Sequence, residues 1–275
     1  MTREAPSGRL APAHLAGLAA VVLAAGLVFL DVRLAVVPLG LFLLVCLVAP
    51  FLPRWPFFGR TVVCGSRDKP WVALTFDDGP DPSTTPALLD LLARRGQRAA
   101  FFVIGGRAAA YPGLIRRMLD EGHEVASHSS SHDPLLMLRS SGELGREIDG
   151  CNEALAALGI RSLVFRSPVG IVSPRLFPAL RERGMTSVGF SRRGRDFGNR
   201  RIRGLARRVL RGIRPGDIVL LHDGPIADGT AVELWRREIE AVLDGLAVRL
   251  LEIRPLSEVI GRAVMERTSG ATINR

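Results

Sequence analysis

The chain has 275 residues, enough for one large catalytic domain or two small ones, and carries a formal charge of +10 with a pI near 11.1. Arginine supplies almost all of that charge, but no zinc-finger spacing and no aromatic platform accompany it, which argues against a nucleic-acid-binding module. Its three cysteines lack metal-type spacing, so free thiols are expected, with a Cys64 to Cys151 bridge as the alternative.

Two apolar runs open the chain, Leu15 to Leu30 and Leu34 to Leu52, separated by Asp31, Val32 and Arg33. Each is near the lower limit of roughly 17 residues for a membrane-crossing helix. They predict one or two N-terminal transmembrane helices, arranged as a tight hairpin or as one tilted span with an interfacial piece. A cleaved signal peptide fits less well, because its apolar core is shorter and ends near small residues. Pro50, Pro53 and Pro56 break the second run, and Trp55, Phe57 and Phe58 suit a membrane interface. Residues 1–60 therefore read as a membrane anchor and linker, with membrane lipid as a partner, and 61–275 as the catalytic domain. Arg3 and Arg9 precede the runs and Arg54, Arg60 and Arg67 follow them. Two spans would put both ends in the cytoplasm by the positive-inside rule.

Strands and helices alternate beyond the linker. Trp71 to Phe76 is a short strand; Thr85 and Pro86 begin a helix with Leu88, Leu89, Leu91 and Leu92 on its apolar face. A buried strand at Ala99 to Ile104, a helix from Pro112 to Glu121 and a strand at Glu124 to Ser127 follow. Ser140 and Glu143 form a capping box for a helix reaching Leu158. Strands are expected at Leu163 to Phe165, Ser187 to Phe190, Asp217 to Leu221 and Arg249 to Ile253. Helices are expected at Pro174 to Arg183, Ile202 to Ile213 and after Thr230. The alternation implies a mostly parallel sheet with helices outside it.

The polar residues that follow these strands are the candidates for chemistry. Asp77 and Asp78 follow the first strand, His128 and His132 the third, Arg166 and Asp196 later ones, and His222 follows Leu221. Two histidines four apart can share one metal ion if the segment forms a helical turn, and Asp77 or Asp78 would complete an open, catalytic ligand set. Adjacent carboxylates repel unless something neutralises them, and a metal and an arginine would do so. The bland alternatives are a capped turn at Asp77 to Pro80 and incidental histidines in a serine-rich loop. Ten basic residues crowd between Arg192 and Arg214, as a solvated helix face or a surface for anionic lipid or acidic glycan.

The motifs Thr75-Phe76-Asp77-Asp78-Gly79-Pro80, His128-Ser129-Ser130-Ser131-His132, Arg166-Ser167-Pro168-Val169-Gly170, Asp196-Phe197 and Leu220-Leu221-His222 occur in this order. In them the stretch from Val62 to Leu256 resembles the polysaccharide deacetylases of carbohydrate esterase family 4. The resemblance implies a distorted (β/α)7-type barrel and an enzyme that removes N-acetyl groups from an N-acetylhexosamine-containing glycan. It implies Asp77 as base, Asp78, His128 and His132 as ligands of one divalent ion (zinc first, cobalt or another divalent ion otherwise), and Arg166 as the residue that holds the base. His222 is then the acid, with Asp196 orienting it. Leu220 would line the acetyl pocket, Val169 would offer a backbone N–H to the oxyanion, and Pro168 and Phe197 would contact substrate. Val169 and Phe197 depart from the family pattern, which has an aromatic residue and tryptophan there, and bear on substrate choice.

Alternatives are a de-N-acylase of a lipid-linked sugar, an O-deacetylase, or a glycan-binding membrane protein without activity. No Gly-x-Ser-x-Gly elbow supports a serine hydrolase. No nucleic acid and no specific protein partner is expected. The expected location is the cell membrane with the catalytic domain outside, an orientation taken from the family and opposed by the arginine distribution.

Overall fold

A computed structural model describes residues 11–226 and 228–268; Arg3 and Arg9 lie outside them. The first apolar run folds as helix α1, Pro12–Val28, and the second as α2, Val36–Val48. Asp31 Oδ1 accepts the Arg33 N–H at 2.8 Å in the turn between them. Gly17 leaves room for the Phe42 ring, which would lie 3.0 Å from a Cβ there. Among the described residues no helix is long and apolar enough to cross a membrane. This corrects the expectation of transmembrane helices. Helix α1 starts at Pro12 and stops at Val28, while α2 loses Leu34 and Ala35 to the turn and Ala49–Phe51 to a 3-10 turn, so the helices have 17 and 13 residues. At 1.5 Å per residue these reach about 26 and 20 Å, against roughly 30 Å of bilayer hydrocarbon.

The rest of the chain alternates as predicted. In order it forms β1 (Trp71–Asp77), α3 (Thr85–Arg94), β2 (Ala100–Val103), α4 (Gly105–Ala110), α5 (Pro112–Asp120), β3 (Glu124–Ser127) and α6 (Ser141–Ala156). Then come β4 (Ile160–Ser162), β5 (Val164–Phe165), α7 (Leu176–Glu182), β6 (Thr186–Ser187), β7 (Arg192–Arg193) and α8 (Leu205–Leu210). The chain closes with β8 (Ile218–His222), α9 (Gly229–Val248), β9 (Glu252–Ile253), α10 (Leu256–Ile260) and β10 (Met265–Arg267). The Ser140–Glu143 capping box forms as expected at α6. Helix α9 is capped by Asp228, whose carboxylate accepts the Thr230 N–H. Thr85 is the first residue of α3, and its hydroxyl donates to Asp223. Cys46, Cys64 and Cys151 are all free.

The main sheet runs β6-β5-β3-β2-β1-β8-β7, with β9 on β1, and every pairing in it is parallel. It curls into a half-barrel rather than closing as seven units, which corrects the barrel expectation. The edge strands β6 and β7 are two residues each and do not pair with one another. The segment before β1 spans the gap: Val62 bridges to Val188 on one side and Cys64 to Asp217 on the other.

Strand periodicity sorts the side chains between the two faces. Val72, Leu74 and Phe76 point outward and pack with Leu88, Leu92, Phe101, Trp235 and Ile239 under the helices. Ala73 points inward with Ala100, Phe102, Ala126, Val164 and Ile218, mostly small residues that leave the concave face open. Thr75 and Asp77 share the parity of Ala73, and Leu220 and His222 that of Ile218. The concave face therefore becomes polar at the strands' C-terminal ends.

Candidate active site

Strand register brings the polar groups together. Asp77 lies opposite His222 across the β1–β8 pairing and opposite Phe102 across β1–β2. Ser127 pairs with Phe165, so the next residues, His128 and Arg166, leave their strands side by side. A cavity of about 1030 Å³ opens there, lined by Asp77, Asp78, His128, His132, Asp196 and His222 among others.

Arg166 is the most deeply committed of these residues, 1% exposed. Its guanidinium donates to Asp77 Oδ1 at 2.6 Å, to Thr75 Oγ1 at 2.8 Å and to the Gly189 carbonyl at 2.8 Å. The plane sits 3.8 Å above the Phe102 ring. Burial lowers the Arg166 pKa, while the charge and hydrogen bond of Asp77 pull it back up. The Arg166 carbonyl is 2.8 Å from His128 Nδ1. The carbonyl can only accept, so Nδ1 donates, and Nε2 faces Asp78.

Asp78, His128 and His132 each offer one atom within a sphere where all lie within 4.8 Å of one another. His128 Nε2 and His132 Nε2 are 3.5 and 3.2 Å from Asp78 Oδ1. That oxygen is buried without a hydrogen-bond partner. Burial opposes the negative charge on Asp78, but the nearby imidazoles of His128, His222 and His132 hold its carboxyl well below the usual range. Burial opposes a proton on His128, yet the charges of Asp77 and Asp78 raise its pKa. One carboxylate and two imidazoles with open positions is a donor set that fits a catalytic divalent ion such as zinc.

His222 Nδ1 is 2.7 Å from Asp196 Oδ1, and Asp196 is buried. Burial disfavours the imidazolium, but the hydrogen bond and charge of Asp196 outweigh it, and the His222 pKa is pushed up to about 9. At neutral pH His222 is a proton donor facing the cavity.

A family model described as Polysaccharide deacetylase matches residues 65–188. A chitooligosaccharide deacetylase of Sinorhizobium fredii is 40% identical over 60% of this chain and 77% of its own length. The chain belongs to the polysaccharide deacetylase family. A peptidoglycan-N-acetylglucosamine deacetylase of Bacillus cereus is 38% identical over 56% of this chain and 72% of its own. The solved chitin deacetylase of Colletotrichum lindemuthianum superposes with a TM-score of 0.66 at 25% identity, covering 77% of this chain and 97% of that one. The family match ends at 188, yet Asp196, Leu220 and His222 fold into the same cavity as the residues within it.

Every site residue predicted from the sequence lies in or against this cavity. Leu220 is buried in its floor, while Val169 and Phe197 are 55% and 60% exposed at its rim. Pro168 is buried behind Val169. One local expectation fails: His128 and His132 are not on a helical turn. Ser129 and His132 have φ of 67° and 59°, and the loop is held by Glu147, whose carboxylate accepts the N–H groups of Ser130 and Ser131. Seven of the eight non-glycine residues with positive φ flank the cavity: Asp78, Ser129, His132, Val169, Arg195, Phe197 and Asn199. Such conformations cost about 1–3 kcal/mol each and persist where the surroundings enforce them.

Three supporting residues were missed in the sequence. Glu147 and Arg107, which donates to the Asp78 carbonyl at 2.9 Å, carry no local pattern that marks them. Asp223 follows His222 and had a positional signal. Its N–H donates to the Asp77 carbonyl at 2.7 Å and its carboxyl accepts from Thr85 Oγ1 at 2.5 Å. Burial pushes its pKa up to about 7. Gly79 is required beside it, since a Cβ there would meet Asp223 Oδ2 at 2.6 Å.

Arg166→Met removes the counter-charge of Asp77 and is expected to lower unfolding free energy by about 3–5 kcal/mol in chemical denaturation. The double variant Arg166→Met/Asp77→Asn, which buries no lone charge, should regain part of that loss. Equal stability of wild type and Arg166→Met would show that the pair does not brace the site.

Proposed function

We propose that the chain is a divalent-metal-dependent hydrolase that removes N-acetyl groups from an N-acetylhexosamine-containing glycan, releasing acetate. The observation that carries this reading is the single concave site where an orphaned Asp78 oxygen faces two imidazoles, beside an arginine-held Asp77 and an aspartate-paired His222. Asp78, His128 and His132 would hold the ion, with zinc preferred over cobalt. When bound, such an ion polarises an amide carbonyl and acidifies a water.

The remaining work falls to side chains and backbone. Arg166 holds Asp77 in place, and Asp77 takes the proton of the attacking water as the water oxygen bonds to the carbonyl carbon. The Val169 N–H, exposed to the cavity by a left-handed backbone at φ 53°, stabilises the oxyanion. His222 then gives its proton to the departing nitrogen as the C–N bond breaks, leaving acetate and a free amino sugar. Asp196 holds the His222 ring in the tautomer that this transfer needs. Leu220 packs against the acetyl methyl and Phe197 flanks the sugar, while Pro168, expected to touch substrate, is buried and supports Val169 instead.

The N-terminal hairpin has a separate role. Leu18, Val22, Leu30, Leu41, Leu44 and Leu47 are all more than half exposed, far more apolar surface than a water-facing helix pair tolerates. We propose that residues 1–60 form an anchor whose hairpin lies in one leaflet of the cell membrane, with the catalytic domain on the outer side. A lipid-linked sugar is the second reading of the substrate, favoured because the hairpin's base adjoins the cavity rim: the Pro50 carbonyl accepts the Val172 N–H at 3.1 Å.

Two experiments test these assignments. Asp77→Asn should cut acetate release by about a hundred- to ten-thousand-fold while retaining zinc, because an amide cannot accept the proton. Asp78→Ala should lose zinc. If Asp77→Asn sheds its zinc and Asp78→Ala keeps both metal and activity, the two roles must be exchanged. For the anchor, the full chain should float with phospholipid vesicles at high salt, and Leu18→Asp/Leu44→Asp should not. A wild-type chain that stays unbound contradicts the anchor.

A further inference from the structure

The basic stretch between residues 192 and 214 divides into two groups. Arg192 and Arg208 serve the fold. Arg192 donates to the carbonyls of Arg211 and Gly212 and lies 3.7 Å from Asp217. Arg208 donates to the carbonyls of Gly194, Arg203 and Arg201 at 2.6 Å each. Arg193, Arg195 and Arg200 instead line the catalytic cavity and are exposed. Among the described residues none of these three side chains has a carboxylate partner or a hydrogen-bond acceptor. The carboxylates in the cavity are already committed: Asp77 to Arg166, Asp196 to His222, and Asp78 to the two histidines.

Three like charges around one mouth repel each other over the roughly 8–10 Å that salt leaves unscreened. The backbone also works to hold them there. Arg195 sits at φ 51°, beside Phe197 at 52°, so the loop presents its cations and an exposed aromatic face together. The cavity carboxylates serve the proposed ion and His222, so a neutral glycan would leave the three arginines uncompensated. The loop adjoins the hairpin as well, since Arg54 Nη2 donates to the Ser191 carbonyl at 2.7 Å, two residues before Arg193.

We infer that Arg193, Arg195 and Arg200 form an anion subsite, and that the glycan substrate carries a negatively charged oxygen group on the deacetylated sugar or its neighbour. The inference rests on the deacetylase reading and deepens it by naming the substrate's charge. Guanidinium groups bind carboxylate and phosphate oxygens in the same forked geometry, so the shared chemistry is an anionic oxygen cluster. Its source is a carboxylated sugar of a polymer or the phosphate of a lipid-linked one.

The zinc-loaded full chain tests this with three probes: a neutral N-acetylglucosamine tetrasaccharide, the same tetrasaccharide with a reducing-end phosphate, and an oligosaccharide of alternating N-acetylglucosamine and carboxylated sugar. At low salt an anionic probe should exceed the neutral one in kcat/KM by about ten-fold or more, through KM, and the ratio should shrink as salt is added. The triple variant Arg193→Gln/Arg195→Gln/Arg200→Gln should bring the ratio to about one. Whichever anionic probe leads identifies the source. Equal kcat/KM for all probes at low salt overturns the subsite, as does a ratio that ignores both salt and the triple variant. If the variant does not fold, the wild-type salt dependence decides. Calorimetric Kd values for the same probes separate the two readings. Tighter binding of an anionic probe without acetate release would contradict the deacetylase reading and leave the anion subsite standing.

Discussion

The contact between the Arg166 guanidinium and the Asp77 carboxylate is the constraint around which the rest of the site is arranged. Both groups are nearly inaccessible to water, a placement that costs several kcal/mol per ion unless the remaining donors and acceptors are met. They are met: by Thr75, by the Gly189 carbonyl and by the face of Phe102. Arg166 thereby ties the end of β5 to β1 and to the chain leaving β6, across the concave face of the sheet. Its own carbonyl fixes the His128 ring. One residue thus braces both the proposed base, Asp77, and the proposed metal ligand, His128.

A second pair works in the opposite sense. Asp196 accepts from His222 and pushes its pKa up to about 9, while Arg166 donates to Asp77. The side chains of Asp77 and His222 lie opposite each other on adjacent strands and face the same cavity. The proposed amide hydrolysis needs two such groups, because water must lose a proton and the leaving amine must gain one. The left-handed backbone at Asp78, His132 and Val169 is the local cost of aiming these groups inward, and the packed core beneath bears it.

Much of this was legible in the chain. The alternation of apolar strands and capped helices gave the parallel sheet, and polar residues placed directly after strands gave the site, because parallel pairing gathers strand ends. Three things were not legible. The opening of the barrel into a half-barrel depends on two-residue edge strands, β6 and β7, whose sequences carry too little periodicity to mark an edge. The loop from His128 to His132 reads as a helical turn by spacing alone, and only positive φ at Ser129 and His132 makes it otherwise. The apolar runs stood near the lower limit of a bilayer span by count, and the Asp31 turn and the break after Val48 cut the second to 13 helical residues. Glu147 and Arg107 were silent because their partners are distant in sequence.

The most direct test of the account is acetate release by the purified full chain from N-acetylated oligosaccharides, before and after removal and return of a divalent ion. The account predicts about one ion per chain, loss of acetate release on exhaustive chelation, and recovery on adding zinc. Full activity in chelated protein that retains no ion would contradict it.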